Sequence, residues 1–443
     1  MSRVLGITCG TILLLSATFI AGIYATENRL FPYTLVTQVR NDFQQLLTEG
    51  DTLAGIRPKA WTAPPRQDGS GVTLHVPEEA GEELIMLQGL FDRGLEIRLV
   101  ALDGTVVHRW PFSPATLTEG IEHLRNRPLV EWNYDTHGAV ALPDGSVVFN
   151  IDHKALLKLD RCGELVWRVD EPTHHSVELN DDGSFWVSSA DKHWDQSTLP
   201  SLPFDAPLSE DTLLQVGADG TILREISLLD VFLENDAMGL LTLAGGISPK
   251  TYRAYRPDMS REVFHLNDVE ALPAAMAAAF PGFEAGDVVI SLRNRNLIMV
   301  LDPDTKAIKW HSIGNWTRHH DPDWHADGTI RVFDNNRDGT ETGEILGSSR
   351  IIAIRPRDNT ETLLLGAEDD PYFHTTRRGK SQSLSGGRLL ITEAEAGRVF
   401  ITNAANEIVW EYVNRFDDEF IARITEARAY PRAYFSVTSW DCP

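Results

Sequence analysis

The sequence predicts an all-β chain folded as a six-bladed β-propeller, preceded by an N-terminal transmembrane helix and a short stalk helix. Three observations predict it. His137, His175 and His320 each stand seven residues ahead of an Asp-Gly pair, at Asp144-Gly145, Asp182-Gly183 and Asp327-Gly328. Each pair suits a tight turn between short apolar-rich stretches, and units of four such stretches recur every ~35–50 residues, the period of a propeller blade. The outer edge of the unit repeats too, as Leu159-Asp160 with Trp167, Leu301-Asp302-Pro303 with Trp310, and Ile401-Thr402-Asn403 with Trp410. A β-sandwich would explain the strands but not the shared histidine–turn register.

In chain order, residues 4–25 carry no charge. At 1.5 Å per residue such a helix can cross a bilayer core of about 30 Å. Arg3 precedes the run, and Glu27 and Arg29 follow it, which puts the N-terminus in the cytoplasm. A cleaved signal peptide is the rival reading, although no A-x-A site ends the run. Either way the remainder is exported, to the periplasmic side of an inner membrane. Residues 1–30 are thus the anchor or signal peptide. Within 33–55, Leu35, Val36, Val39, Phe43, Leu46 and Leu47 recur at helical spacing, and Gly50 suits the helix end. Residues 57–71, rich in Pro, Gly and Ala, read as a linker, so 31–71 form a juxtamembrane helix and linker. The propeller occupies 72–443. Its clearest blade is 137–169, with strands over 139–142, 147–151, 155–159 and 164–169. An earlier copy surrounds Asp103-Gly104, within 95–110, and later ones start near His175, Asn267, His320 and Gly379. Insertions are expected at 191–211 and 229–264. Residues 415–443 either seal the ring or wrap beside it, and Trp110, Trp167, Trp310 and Trp410 are expected to pack between blades.

Composition narrows the function. The chain has 443 residues and a net charge of -24, which argues against nucleic-acid binding. Its cysteines are Cys9, Cys162 and Cys442. Without CxxC spacing a thiolate zinc site is not expected. Cys162 and Cys442 can pair in an oxidising compartment, but three cysteines fix no connectivity.

The repeats place distant residues together. In a four-stranded blade the start of the inner strand and the end of the second strand lie on one face. His137, His175, Asn267 and His320 take the first position, and Arg293, Asn335 and Asn336 the second. His265 lies two residues before Asn267 and should also point inward. All are expected to ring one mouth of the channel. His320 is the sharpest candidate, because a neutral imidazole whose other nitrogen is fixed makes a competent nucleophile. Neighbouring His and Arg side chains can stabilise anionic oxygens. The plain alternative is that these histidines only bond strand ends. Metal binding is a third reading, without HxxxH or HxH spacing to support it. Asp334, Asn336 and Asp338 match the start of a calcium loop, but Glu344 falls one place short of the terminal ligand.

These residues resemble the bacterial arylsulfotransferase family, the type that uses no nucleotide sulfate donor. The likeness runs over roughly 130–432 and rests on His174-His175, His265-Leu-Asn267, Ser291-Leu-Arg293, His319-His320-Asp321-Pro322, Val332-Phe-Asp-Asn335 and Thr392-Glu-Ala-Glu-Ala-Gly-Arg398. The resemblance implies a periplasmic six-bladed propeller. It also implies ping-pong transfer of a sulfuryl group from an aryl sulfate to a phenol, through a sulfohistidine at His320. His175, His265, Asn267 and Arg293 would support it; His137, His174, His319 and Asn335 would line the substrate site, and Thr375 and Thr376 are candidates for a late-blade threonine. No metal or cofactor is required. Characterised members carry an N-terminal β-domain; here a short segment follows the apolar run, so the chain looks closer to a membrane-anchored branch. Two other classes stay open: a non-catalytic exported propeller that binds a protein or polymer, and a quinone-dependent dehydrogenase. Residues 301–310 faintly resemble the dehydrogenases' Trp docking motif, but those propellers usually have eight blades.

Overall fold

Six blade sheets, each with an antiparallel core of four strands, follow one another among the described residues, and a two-stranded sheet pairs Thr62–Ala63 with Ile421–Ala422. The computed structural model describes residues 2–27, 36, 39–40, 50–124, 128, 130–193, 208–242, 261–338 and 345–442. Two units separate, Met1–Lys59 and Ala60–Pro443. In the first, a helix spans Ser2–Glu27, and Ile12, Leu13, Leu14, Leu15, Phe19 and Ile20 are exposed on it. Among the described residues no helix is long and apolar enough to cross a membrane. Most of the expected stalk helix lies outside the described residues.

The second unit is the propeller. Its inner strands, for blades 2 to 6, are Thr136–Ala141, His174–Leu179, Leu266–Ala271, His320–His325 and Lys380–Ser383. Blade 1 takes its inner strand from the far end of the chain. Ile424–Tyr430 pairs with Leu84–Phe91, followed by Gly94–Ala101 and Val106–Pro111. So the C-terminal region seals the ring, and it then also wraps. A second closure runs the other way: Gly71–His75 adds a fifth strand to the outer edge of blade 6, against Ile408–Val413.

Alternation explains the packing. Successive side chains of a strand face opposite sides, and in a propeller both sides meet another blade. Leu84 and Met86 therefore pack toward blade 2 with Ala139 and Phe149, while Ile85 and Leu87 pack toward blade 6 with Leu390 and Val399. Each of the six hydrophobic clusters fills one gap between successive blades. The recurring tryptophans pin these gaps. Trp167, Trp310 and Trp410 donate their indole N–H to Ala218 O, Asn359 Oδ1 and Leu102 O, all in the outer turn of the next blade. Trp110 instead packs edge-on to Trp440, at 5.8 Å. The segment that resembles a quinone-enzyme docking motif is the outer hairpin of blade 4, with Asp302 Oδ1 capping its turn through Asp304 N and Thr305 N.

Beyond blade 1 the tail lies along blades 1 and 2. Tyr434 donates to Ala141 O, Ser436 N to Pro143 O, and Arg161 Nη1 to Ser439 O. Cys162 and Cys442 form a disulfide, with Cα atoms 5.6 Å apart across 280 residues of sequence. A bridge over so long a loop stabilises on the scale of ~2–4 kcal/mol by restricting the unfolded chain. Cys442→Ser is expected to lower Tm by several degrees and to open 431–442 to protease, measured by calorimetry and limited proteolysis. An unchanged Tm and digestion pattern would show the tail held by packing alone.

Candidate active site

Antiparallel order fixes which parts share a face. The Asp-Gly turns lie on one side of the disc. The starts of inner strands, the ends of second strands and the links between blades lie on the other. Parts of both insertions are described: long strands Phe185–His193 and Leu208–Val216 in blade 3, and helices Leu228–Glu234 and Met238–Leu241 after it. By this topology both rise on the histidine side. Residues 194–207 and 243–260 lie outside the described set.

The predicted residues stand inside the inner strands rather than before them, because each strand bulges where its site residue sits. Register shifts between Thr136 and Ala139, His174 and Val177, Leu266 and Asp268, and His320 and Asp323. The extra residue needs a left-handed backbone close by. Gly138, His175 and Asp321 adopt it, at φ 82, 57 and 54 degrees, and His265 does so just before blade 4, at φ 57 degrees. A bulge re-aims side chains, and here it turns imidazoles into the channel. Gly138 has a further reason to be glycine: a Cβ there would lie 2.0 Å from the His175 carbonyl oxygen.

Four rings converge. The His175 centroid lies 4.5 Å from His137, 4.9 Å from His265 and 6.1 Å from His320. His174 sits behind His175, their Nδ1 atoms 2.7 Å apart. His174 Nε2 faces Ser189 O at 3.2 Å and Asp211 Oδ1 at 3.6 Å. Asp211 also accepts from the backbone N–H of His265 and Leu266, so one carboxylate organises both elements. His319 takes the opposite side of its strand. It packs edge-on to buried Trp316, 6.1 Å away, in the wall between blades 4 and 5. Its pKa falls to about 3 through burial, opposed by a backbone bond to Leu297 and assisted by Arg293.

His320 has the most defined surroundings. Asn335 donates from Nδ2 to Thr375 O and Arg378 O, both at 2.8 Å. Those two carbonyls fix the amide orientation, so Oδ1 must face His320 Nδ1, 2.6 Å away. Arg318 O lies 3.0 Å from the same nitrogen. With two acceptors there, Nδ1 carries the proton and Nε2 the lone pair. Nε2 accepts the backbone N–H of Arg378 at 3.2 Å. Burial, then the positive charge of Arg293, holds the His320 pKa well below its ordinary value. Burial with neighbouring imidazoles does the same for His175, and burial with Arg378 and His320 for His137. Burial thus favours the neutral form of His137, His175 and His320. Arg293 follows strand Val288–Leu292, with its N–H on His265 O. Asn267 donates from Nδ2 to His319 O at 2.7 Å, gripping the backbone beside His320.

Sequence reasoning missed several participants. Arg378 brings its backbone N–H to His320, while its side chain donates to Thr136 O and Asp135 Oδ2. Its signal was its place before Gly379, where a blade was expected to start. The motif at 392–398 holds that segment in place. Glu393 and Glu395 accept the N–H groups of His374 and Thr376. Thr375 and Thr376 spend their hydroxyls locally, on Arg377 O and Glu395 Oε2. Asp211, inside an insertion, and Asp152 carried no repeat signal. Asp152 forms, with His137 and His175, a set whose ligand atoms lie within 4.8 Å of one another, a spacing that suits zinc or a transition metal. The calcium-loop candidate is different. Asp334 accepts from Thr317 N, Asn336 N and Arg350 Nε, and Asn336 donates to Ser348 O. These groups brace the loop; its continuation through residue 344 lies outside the described residues.

Deeper in the channel the inner strands carry Glu178, Asp268, Glu270, Asp321, Asp323 and Glu426 against Lys380 and Arg428. Burial, with repulsion from Glu178 and Asp321 and partial relief from Lys380, pushes Asp268 up to about 8.

The family model described as Arylsulfotransferase (ASST) matches residues 138–415, more than half of the chain. The chain belongs to the arylsulfotransferase family. The match starts in blade 2 and ends just after the outer strand of blade 6, and it supports an arylsulfotransferase-like function in general. No curated protein matches this arylsulfotransferase-family chain. Among solved structures it is similar to a protein of unknown function from Bacteroides caccae, at 12% identity and TM-score 0.49, covering 79% of this chain and 99% of that one. It is also similar to the nidogen/laminin complex, at 12% identity and TM-score 0.41, covering 77% and 97%. Virginiamycin B lyase from Staphylococcus aureus follows at 11% identity and TM-score 0.35, covering 67% and 84%.

Proposed function

We propose that this chain moves a sulfuryl group from an aryl sulfate to a phenol in two displacements at His320 Nε2. The observation that carries the reading is the fixed tautomer: Asn335 Oδ1 and Arg318 O claim Nδ1, leaving Nε2 with its lone pair in a buried, neutral imidazole. In the first step the Nε2–S bond forms as the ester S–O bond breaks, and the phenolate departs. The Arg378 N–H, now on Nε2, must release it and is then next to the sulfuryl oxygens. Arg293 meets the negative charge on those oxygens. His265 flanks the same volume and, in its protonated form, hands a proton to a poor leaving group, while neutral His175 turns its ring toward the sulfuryl oxygens. In the second step the acceptor phenol loses its proton to that base, its oxygen attacks sulfur, the N–S bond breaks, and Nε2 regains its lone pair. Asn267 and Asn335 hold the backbone and ring of His320 in place through both steps.

Incubation with a nitrophenyl sulfate is expected to add one sulfuryl group to the peptide containing His320, seen by mass spectrometry, and a phenol should remove it. Protein that never acquires the adduct with any aryl sulfate tried would remove this reading. The His137, Asp152 and His175 set favours a second reading, in which a metal there polarises the ester. An adduct that forms at an unchanged rate after EDTA treatment excludes it.

The chain is also proposed to sit on the periplasmic side of the inner membrane, held by its N-terminal helix. The exposed apolar side chains from Ile12 to Ile20 support an anchor, and the Cys162–Cys442 bridge supports an oxidising compartment. Membrane fractionation and the mature N-terminus test it: a soluble chain starting near Thr26 would mean a cleaved signal peptide.

A further inference from the structure

We propose that the acidic floor of the channel is a divalent-cation site of the calcium type, with Asp268, Asp321 and Asp323 as its protein ligands. One carboxylate oxygen of each lies within 4.8 Å of those of the other two. A calcium ion bound at about 2.3–2.6 Å keeps its oxygens within roughly that span. Asp268 supplies the second, independent sign. It is fully buried, at 0% exposure. Its Oδ1 accepts from Val269 N at 2.8 Å and the Ser176 hydroxyl stands beside the carboxyl, but its Oδ2 meets no partner in good hydrogen-bond geometry. A buried carboxylate oxygen left in that state is costly unless a cation or donor meets it.

Lys380 is not that partner. Its Nζ serves Asp321 at 2.9 Å, Glu178 at 3.4 Å and Glu426 at 3.7 Å. Arg428 serves Glu178 and Glu426. Six carboxyl groups, Glu178, Asp268, Glu270, Asp321, Asp323 and Glu426, thus surround two cationic side chains, four acids more than those cations can pair with one to one. Every ligand is oxygen, without His or Cys, which selects a hard cation, and irregular carboxylate sets with added water suit calcium better than magnesium. A cavity of about 370 Å³ reaches the site, lined by Asp321, Asp323, Glu270, Lys380 and Glu426, and it extends to His325 and Ser383. Those last residues end inner strands on the Asp-Gly side, so the ion enters from the face opposite the histidines.

The ion would join blade 4, through Asp268, to blade 5, through Asp321 and Asp323. Asp321 is the left-handed residue of the bulge that carries His320. The cation is therefore a positioning element for that bulge, whatever chemistry His320 performs, and its test needs no turnover assay. Full-length protein stripped with EDTA is titrated with calcium by calorimetry and melted with and without the ion. One ion per chain and a Tm raised by several degrees are expected. Asp268→Asn and Asp323→Asn should each weaken binding at least 100-fold. In EDTA they should melt close to the wild type, because Asn keeps the shape of an acid that burial already holds largely neutral there. Absence of stoichiometric binding of calcium, magnesium or manganese to the wild type would overturn the proposal. So would binding that both variants retain at full affinity, which would put the ion elsewhere.

Discussion

His320→Ala is expected to abolish sulfuryl transfer from an aryl sulfate and to remove the covalent adduct, while the propeller stays folded. The expected loss is on the order of 10⁴–10⁶ in turnover, the scale seen when a covalent nucleophile is deleted. The fold should survive because the ring is held by Asn335 and two backbone groups of its own neighbourhood, whereas blade packing rests on the six hydrophobic gaps. The variant's Tm should fall by no more than a few degrees. A pH profile sharpens the test. Burial and the Arg293 charge hold the His320 pKa well below its ordinary value. The nucleophile is the free base, present above that lowered pKa. Adduct formation on wild-type protein should therefore stay level as pH falls from 8 through 6.5 and decline only well below it. An exposed imidazole would already be half lost near 6.5. Turnover by His320→Ala at the wild-type rate, or a decline centred near 6.5, would remove His320 from the role of nucleophile.

The blades were legible because each one repeats a signal that physics requires. The Asp-Gly turn closes the first hairpin, and an outer-strand tryptophan recurs because its N–H reaches the next blade's turn. The closure was less legible. Nothing local in 424–430 says that it pairs with 84–91, since strand pairing across such a distance depends on the ring as a whole. Within the site, the histidines stood out because they share a register, and the structure brings His137, His175, His265 and His320 together. Alternation along a strand then separates His319 from His320, which a run of two histidines does not reveal. Asp211 and Arg378 escaped notice because they act through what they hold: Asp211 through His174 and two backbone N–H groups, Arg378 through its own backbone N–H. Such roles depend on backbone geometry, and residue type carries little trace of it. The channel acids show the reverse case. Asp268, Glu270, Asp321 and Asp323 stand at alternate places in their strands, a pattern any polar strand face shows, and only the ring turns them toward a common axis.

Arg293→Ala is expected to slow adduct formation ~100–1000-fold at pH 8, the cost of one lost contact to developing charge. The argument rests on two effects of one guanidinium. Its charge lowers the pKa of His320 and also that of His319, so it is felt where the sulfuryl group would be attacked. A transferring sulfuryl group spreads negative charge over its three oxygens, and a cation whose field reaches His320 stabilises that arrangement more than the separated reactants. Removing the charge should also let His320 bind a proton more readily. The acid limb of the pH profile should move up, toward the ordinary imidazole range, as the plateau rate falls. A residue that only braced the blade would lower the plateau without moving the limb. Arg293→Lys should retain much of the shift in the limb, because a point charge remains, but less of the rate, because the planar fork that can hold two oxygens is gone. A plateau unchanged in Arg293→Ala would take the guanidinium out of the transition state. A plateau that falls over an unmoved limb would assign the Arg293 side chain to the scaffold, since its backbone N–H on His265 O is kept in the alanine variant.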